Sequence, residues 1–172
     1  WSLTSGGPGG ACIPTANDDV FFDALSGFGT TAVTRTVTVN TGNAYFHNIS
    51  WIGALNNPIW TKAATWNVEG WGDSIMLNPT VTSNLTLLLI GSENTVLTGS
   101  TLGNFSLDVD KLGGSLTFAN DYSNPQTLIS MVNGNLNVSG KTLTILGISN
   151  NSLNNPIHID ISDATINGNW IF

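Results

Sequence analysis

The sequence predicts an all-β chain folded as a right-handed parallel β-helix, a solenoid of short strands preceded by an irregular N-terminal segment. Three observations point there. Apolar and polar residues alternate in short runs, the period of a strand with one buried face. Most runs start about 8–12 residues after the previous one and are separated by Gly, Asn or Pro, a spacing typical of repetitive all-β folds. Charged residues make up only 9% of the 172 positions, against about 25% in an average soluble domain. Asn, Thr and Ser take their place, filling about a third of the chain. No window carries a convincing 3.6-residue period with caps, so helix content should be very low.

A single module spanning 1–172 is expected, with 1–32 as an irregular capping segment and 33–172 as the rungs. Ser5-Gly6-Gly7-Pro8-Gly9-Gly10 resists both helix and central strand, because Gly is too free and Pro lacks a donor. From Thr34 the alternation begins: Arg35-Thr36-Val37-Thr38-Val39-Asn40, then Tyr45-Phe46-His47-Asn48-Ile49-Ser50-Trp51. After Pro79 the candidate strands are 85–90, 95–98, 105–109, 115–119, 127–131, 135–139, 143–148, 157–162 and 164–167. A β-sandwich is the alternative. It needs hairpins, usually announced by Asn-Gly or Asp-Gly, and the clear cases are Asn133-Gly134 and Asn167-Gly168. A solenoid instead turns short corners, where Asn84, Asn94, Asn104, Asn120, Asn124, Asn135 and Asn150 would fall. Its inward column should hold Leu85, Leu87, Leu89, Phe105, Leu107, Val109, Leu116, Phe118, Leu136, Val138, Leu143, Ile145, Ile157, Ile159 and Ile161. Burying each such side chain is worth about 1.5–3 kcal/mol, which can hold the chain without disulfides.

The formal charge is −7, and the four basic residues Arg35, Lys62, Lys111 and Lys141 are scattered. No basic patch forms, which argues against nucleic acid as a partner and against anionic membrane surfaces. The longest apolar run, Leu87-Leu88-Leu89-Ile90, is strand length, far short of the roughly 18 residues of a membrane span. The chain starts at Trp1 without an initiator Met, as expected of a processed or excised piece of an exported protein. The lone Cys12 offers neither an internal disulfide nor a Cys metal cluster.

Trp1-Ser2-Leu3-Thr4-Ser5-Gly6-Gly7 and Ile13-Pro14-Thr15-Ala16-Asn17-Asp18-Asp19-Val20-Phe21-Phe22-Asp23 resemble the opening of a repeated module. That module occurs in very large secreted proteins of the Bacteroidetes, including gliding-associated and adhesin-like surface proteins. The likeness continues weakly through Ala44-Tyr45, Ile49-Ser50-Trp51 and Asn57-Pro58-Ile59, and beyond about residue 70 is a shared Thr/Asn-rich texture. The resemblance implies export by the type IX route, tandem arrangement and a surface role without a reaction. The family pattern often has a second Cys just after the Ala-Tyr pair, where this chain has Phe46.

Several residues invite sharper readings. Asp18, Asp19 and Asp23, with Asn17 beside them, are hard oxygen donors at short spacing and a calcium candidate. The alternative is that they cap turns before Val20-Phe21-Phe22. Asp108 and Asp110 alternate with Leu107 and Val109 and should lie on a solvated strand face. Trp60, Trp66 and Trp71, near Trp51, could form an aromatic platform for glycans, or pack in the core or over a solenoid end. Thr36 and Thr38, or Thr142 and Thr144, give Thr-x-Thr units of the ice-binding kind, which do not recur regularly. Asp73-Ser74-Ile75 resembles a short O-glycosylation acceptor at Ser74. Asn48-Ile49-Ser50 and Asn84-Leu85-Thr86 have the N-glycosylation form.

Four basic residues are too few to neutralise an acidic polysaccharide in a lyase, and no Gly-x-Ser-x-Gly elbow or phosphate loop is present. The expected function is therefore a non-enzymatic extracellular structural or adhesive repeat, with carbohydrate binding through tryptophans as the alternative. No cofactor is expected apart from the calcium candidate. Expected partners are neighbouring copies or flanking repeats, end to end, and surface glycans.

Overall fold

The computed structural model describes residues 1–40, 42–63, 67–152 and 157–171. Among them there is no helix, and the chain winds as a parallel β-solenoid of about six turns. At the spacing of paired strands, six turns make a body roughly 30 Å long. The fourteen strands are β1 (Val20–Phe21), β2 (Thr36–Val39), β3 (Ala44–Phe46), β4 (Ile49–Ser50), β5 (Ile59–Lys62), β6 (Val68–Gly70) and β7 (Ser74–Met76). They continue as β8 (Thr82–Ile90), β9 (Asn94–Thr98), β10 (Phe105–Phe118), β11 (Tyr122–Asn137), β12 (Thr142–Asn150), β13 (Ile157–Asp160) and β14 (Thr165–Ile171).

Every strand pairing is parallel, and the pairs sort the turns into three faces. The first face stacks β2, β5 and the start of β8, in the register Thr38–Thr61–Asn84. Farther along, the starts of β11, β12 and β14 continue it, in the register Tyr122–Leu143–Ile166. The second face runs Val68–Leu87–Leu107–Ile129–Ile148–Trp170. The third runs Val20–Ile49–Ile75–Leu97–Phe118 and, one pair across, Leu116–Leu136–Ile159.

Period-two alternation places the core. In β8 and β10 each second residue is buried, and Leu85, Leu87, Leu89, Phe105, Leu107, Val109, Leu116 and Phe118 all point inward as expected. Leu136, Val138, Leu143 and Ile145 join them. The column frays at its far end: Ile157 and Ile159 are only partly buried and Ile161 is 46% exposed. Ile161 is thus a correction to the expected column. It lies just past β13, in the last turn, where no further rung covers it.

The strands after Pro79 fall close to where alternation put them, except that two pairs of segments are each fused into one strand. Segments 105–109 and 115–119 belong to a single strand, β10, bent at a corner through Gly113 and Gly114. β11 likewise joins 127–131 and 135–139 and runs through all three faces, and its pairing to β12 shifts register between Asn124 and Leu128. Such corners need close backbone approach. At Gly134 (φ 91°) a Cβ would lie 2.3 Å from the Lys111 carbonyl oxygen, so only glycine fits. The N-terminal segment contributes a rung of its own, because β1 pairs with β4 on the third face.

Candidate functional site

Two of the described tryptophans, Trp51 and Trp60, lie in the interior, whereas Trp1 and Trp170 are exposed. Phe22 stacks on Trp51 at 4.0 Å between ring centroids, Trp51 meets Trp60 at 5.5 Å, and Trp60 meets Phe105 at 6.4 Å. Trp1 and Phe28 close this series from the N-terminal segment. Trp60 is 3% exposed, which corrects its assignment to a glycan platform: a sugar ring cannot reach an indole face already packed on aromatics. Trp71 is half-buried, with its indole N–H enclosed. Trp66 lies outside the described residues. The sequence signal was clustering of Trp, which packing explains as well as binding does.

The three N-terminal aspartates do not converge. Asp18 accepts from the Thr15 amide (2.8 Å) and hydroxyl (2.6 Å), bonds that hold its pKa below the usual carboxylate value. Asp19 Oδ1 accepts from the Asn48 amide and faces His47 Nδ1, both at 3.2 Å. Asp23 accepts from the Ser5 hydroxyl and the Leu25 amide, and these bonds, the Ser5 one foremost, lower its pKa. Each carboxylate closes its own turn or strand junction, and among the described residues no group of three or more His, Cys, Asp or Glu is placed to share a metal ion. Turn capping, the alternative reading of these aspartates, accounts for the bonds they make.

Ser74 sits half-buried at the start of β7, its amide donating to Asn48 Oδ1 at 2.8 Å. Asn48 also accepts from Asp73, so both members of these sequence motifs are engaged in one corner of the solenoid. Cys12 is exposed and unpaired, whereas Phe46 is buried in the core.

The second face carries what alternation alone did not announce. Its outward row includes Glu69, Leu88 and Asp108, in register on successive rungs. Glu69 is 8% exposed and accepts from Asn43 Nδ2 at 3.3 Å. Asp108 is half-buried, and desolvation raises its pKa despite Ser130 and the positive charge of Lys62. The fully solvated strand face expected for Asp108 is therefore corrected. Lys111 is enclosed at the corner of β10, its ammonium donating to the Ile90 carbonyl of the preceding turn at 3.0 Å. Burial lowers its pKa. A signal existed: Lys111 continues the inward parity of Phe105, Leu107 and Val109.

The first face gathers hydroxyls and amides into a row. Thr38, Thr61 and Asn84 are in register, and Asn84 Oδ1 accepts from the Asn104 amide of the next turn. Ser123, Thr144 and Asn167 form the corresponding row farther along. The Thr-x-Thr units do not repeat on adjoining rungs, where Thr36 and Thr38 meet Ile59 and Thr61, and Thr142 and Thr144 meet Thr165 and Asn167. At the N-terminal end, a half-open cavity of about 300 Å³ lies between the first turns and the N-terminal segment.

Comparison with family models, with curated proteins and with solved structures returns no match. Function must be argued from these surfaces. Among the described residues, no helix is long and apolar enough to cross a membrane.

Proposed function

We propose that this chain is a non-catalytic extracellular module, a structural or adhesive rod segment of a large bacterial surface protein of the type IX-exported kind. One observation carries the reading: stacked turns present uncharged hydroxyl and amide side chains in register, as in Thr38–Thr61–Asn84. Such rows offer many equivalent hydrogen-bonding positions at the repeat of the sheet and little charge to select for an ionic substrate. Asp18 and Asp23 accept bonds within turns, and the enclosed lysine bonds a main-chain carbonyl. Each is occupied with holding the rod together. Neighbouring repeats or copies at the ends, and neutral surface glycans along the faces, are the partners this exterior suits.

Beads coated with the chain test this on neutral polysaccharide films and on films of the same protein. Wild-type beads should adhere, and Thr61→Glu with Asn84→Glu should abolish adhesion while the β circular-dichroism spectrum stays unchanged. Unaltered adhesion by the folded double variant, or turnover of a polysaccharide by the wild type, would overturn the reading.

A further inference from the structure

Arg35 is the chain's only arginine, and no carboxylate among the described residues pairs with it. It stands just before β2, at the corner where the third face turns into the first, and is partly buried. Its Nη1 donates to the Asn56 carbonyl at 3.4 Å, its Nε is enclosed without an acceptor, and its Nη2 makes no bond to another described residue. A guanidinium out of full contact with water and short of acceptors calls for an explanation, and an external anion is one. Arg35 borders a cleft of about 330 Å³ lined also by Asn57, Pro79, Thr80, Thr82 and Leu102, a volume at the lower end of ligand sites. The cleft follows the corner across four turns, along which the Ile59 amide donates to Arg35, the Thr82 amide to Pro58 and the Leu102 amide to Val81. Apart from Arg35 its polar lining is neutral. The Thr82 hydroxyl and the Asn57 amide make no bond to another described residue, and the Thr80 hydroxyl donates to Asn78 Oδ1 at 3.0 Å, which leaves its oxygen able to accept.

We propose that this cleft binds a single carboxylate carried on a polyhydroxylated body, the chemistry of a uronic acid residue in an acidic glycan. The carboxylate accepts from Nη2 and from the second N–H of Nη1, the flat fork that suits two carboxylate oxygens. One guanidinium balances one negative charge. A phosphate monoester would bring a second charge with no cation to meet it, in a chain whose net charge is already −7. The ligand's hydroxyls exchange hydrogen bonds with Thr80, Thr82 and Asn57, and its ring carbons rest on Pro79 and Leu102. The site goes beyond the neutral rows of the first face and stands apart from them: loss of adhesion through Thr61 and Asn84 would leave it intact.

NMR of the full chain tests the proposal, because a lone arginine gives one side-chain Nε–Hε signal. Glucuronate, glucose and glucose 6-phosphate are titrated separately at pH 7 and constant ionic strength. Glucuronate should produce saturable shifts at the Arg35 Nε–Hε and at the Thr80, Thr82 and Leu102 amides. Glucose should bind at least tenfold more weakly, as befits the loss of a charge-assisted pair, and glucose 6-phosphate no more tightly than glucuronate. Arg35→Gln should weaken glucuronate binding at least tenfold, whereas Lys141→Gln, which removes a positive charge on a later turn, should leave it unchanged. Absence of saturable shifts in the wild type, equal binding of glucose, tighter binding of glucose 6-phosphate, or full binding by folded Arg35→Gln would each overturn it. The three wild-type titrations decide by themselves should Arg35→Gln fail to fold.

Discussion

Replacing Gly70 by alanine probes the packing of the interior column. Gly70 ends β6 on the second face, between Phe46 of the preceding turn and Leu89 of the next. A Cβ there would lie 2.8 and 2.9 Å from two Phe46 ring carbons and 3.3 Å from Leu89 Cδ2. Phe46 is itself buried, so its ring cannot swing into solvent. Overpacking of this kind costs about 1–3 kcal/mol, and restricting the unfolded chain returns about 0.4–1 kcal/mol. The net loss should be about 1–2 kcal/mol. For a domain of this size that is a fall of roughly 2–8 °C in Tm. Urea denaturation of Gly70→Ala, Phe46→Leu and the double variant supplies the assay. Shortening the ring makes room for the new methyl, so the double variant should be more stable than the sum of the singles by at least about 0.5 kcal/mol. Strict additivity, or a neutral Gly70→Ala, would refute the proposed contact.

Other perturbations follow from the same geometry. Leu107→Ala, at the centre of the column, should lose about 2–5 kcal/mol, whereas Ile161→Ala in the uncovered last turn should change stability by less than about 0.5 kcal/mol, both read by urea midpoint. Tyr122 donates to or accepts from Thr127 at 2.9 Å, and burial pushes its pKa up to about 12. The folded state keeps this proton longer than the unfolded state does. The stabilisation is therefore complete below about pH 10 and lost as pH rises through the folded value. Tyr122→Phe should lose about 0.5–1.5 kcal/mol at pH 7 and show a shallower alkaline decline in midpoint. Burial raises the Asp108 pKa, so its favourable contribution is present below the ordinary carboxylate value and lost as pH rises through the raised one. Asp108→Asn should gain stability relative to wild type between pH 3 and pH 7, measured as the difference in urea midpoints.

Strands after Pro79 were legible because each buries one side only, so period two survives in the sequence. The N-terminal half was harder to read. One turn takes 29 residues from Val20 to Ile49 and only 20 from Leu116 to Leu136, and the long early turns mask the repeat. The row linking Thr38, Thr61 and Asn84 keeps an even spacing of 23 residues, but it changes from Thr to Asn and so carries no fixed residue signal. Residue type misled at Lys111, where position within the rung outweighed the ordinary preference for exposure, and at Trp60 the clustering of tryptophans suited a platform and a core equally. The aspartates were ambiguous for a different reason: oxygen donors at short spacing suit both metals and turns, and the bonds to Thr15, Asn48, Ser5 and Leu25 were not visible in the sequence. The cavity left no mark in the sequence, because its walls are ordinary core residues and the space depends on how the first thirty or so residues cross the end of the column.

Cross-strand amide and Hα contacts around β10 test the solenoid itself. Parallel turns require Leu107 to lie beside Leu87 on one edge and Ile129 on the other, with neighbouring residues stepping in the same direction along all three strands. NMR should show that constant offset. Contacts that instead step in opposite directions along paired strands, as in a hairpin-built sandwich, would contradict the fold on which the rows, the column and the cavity all depend.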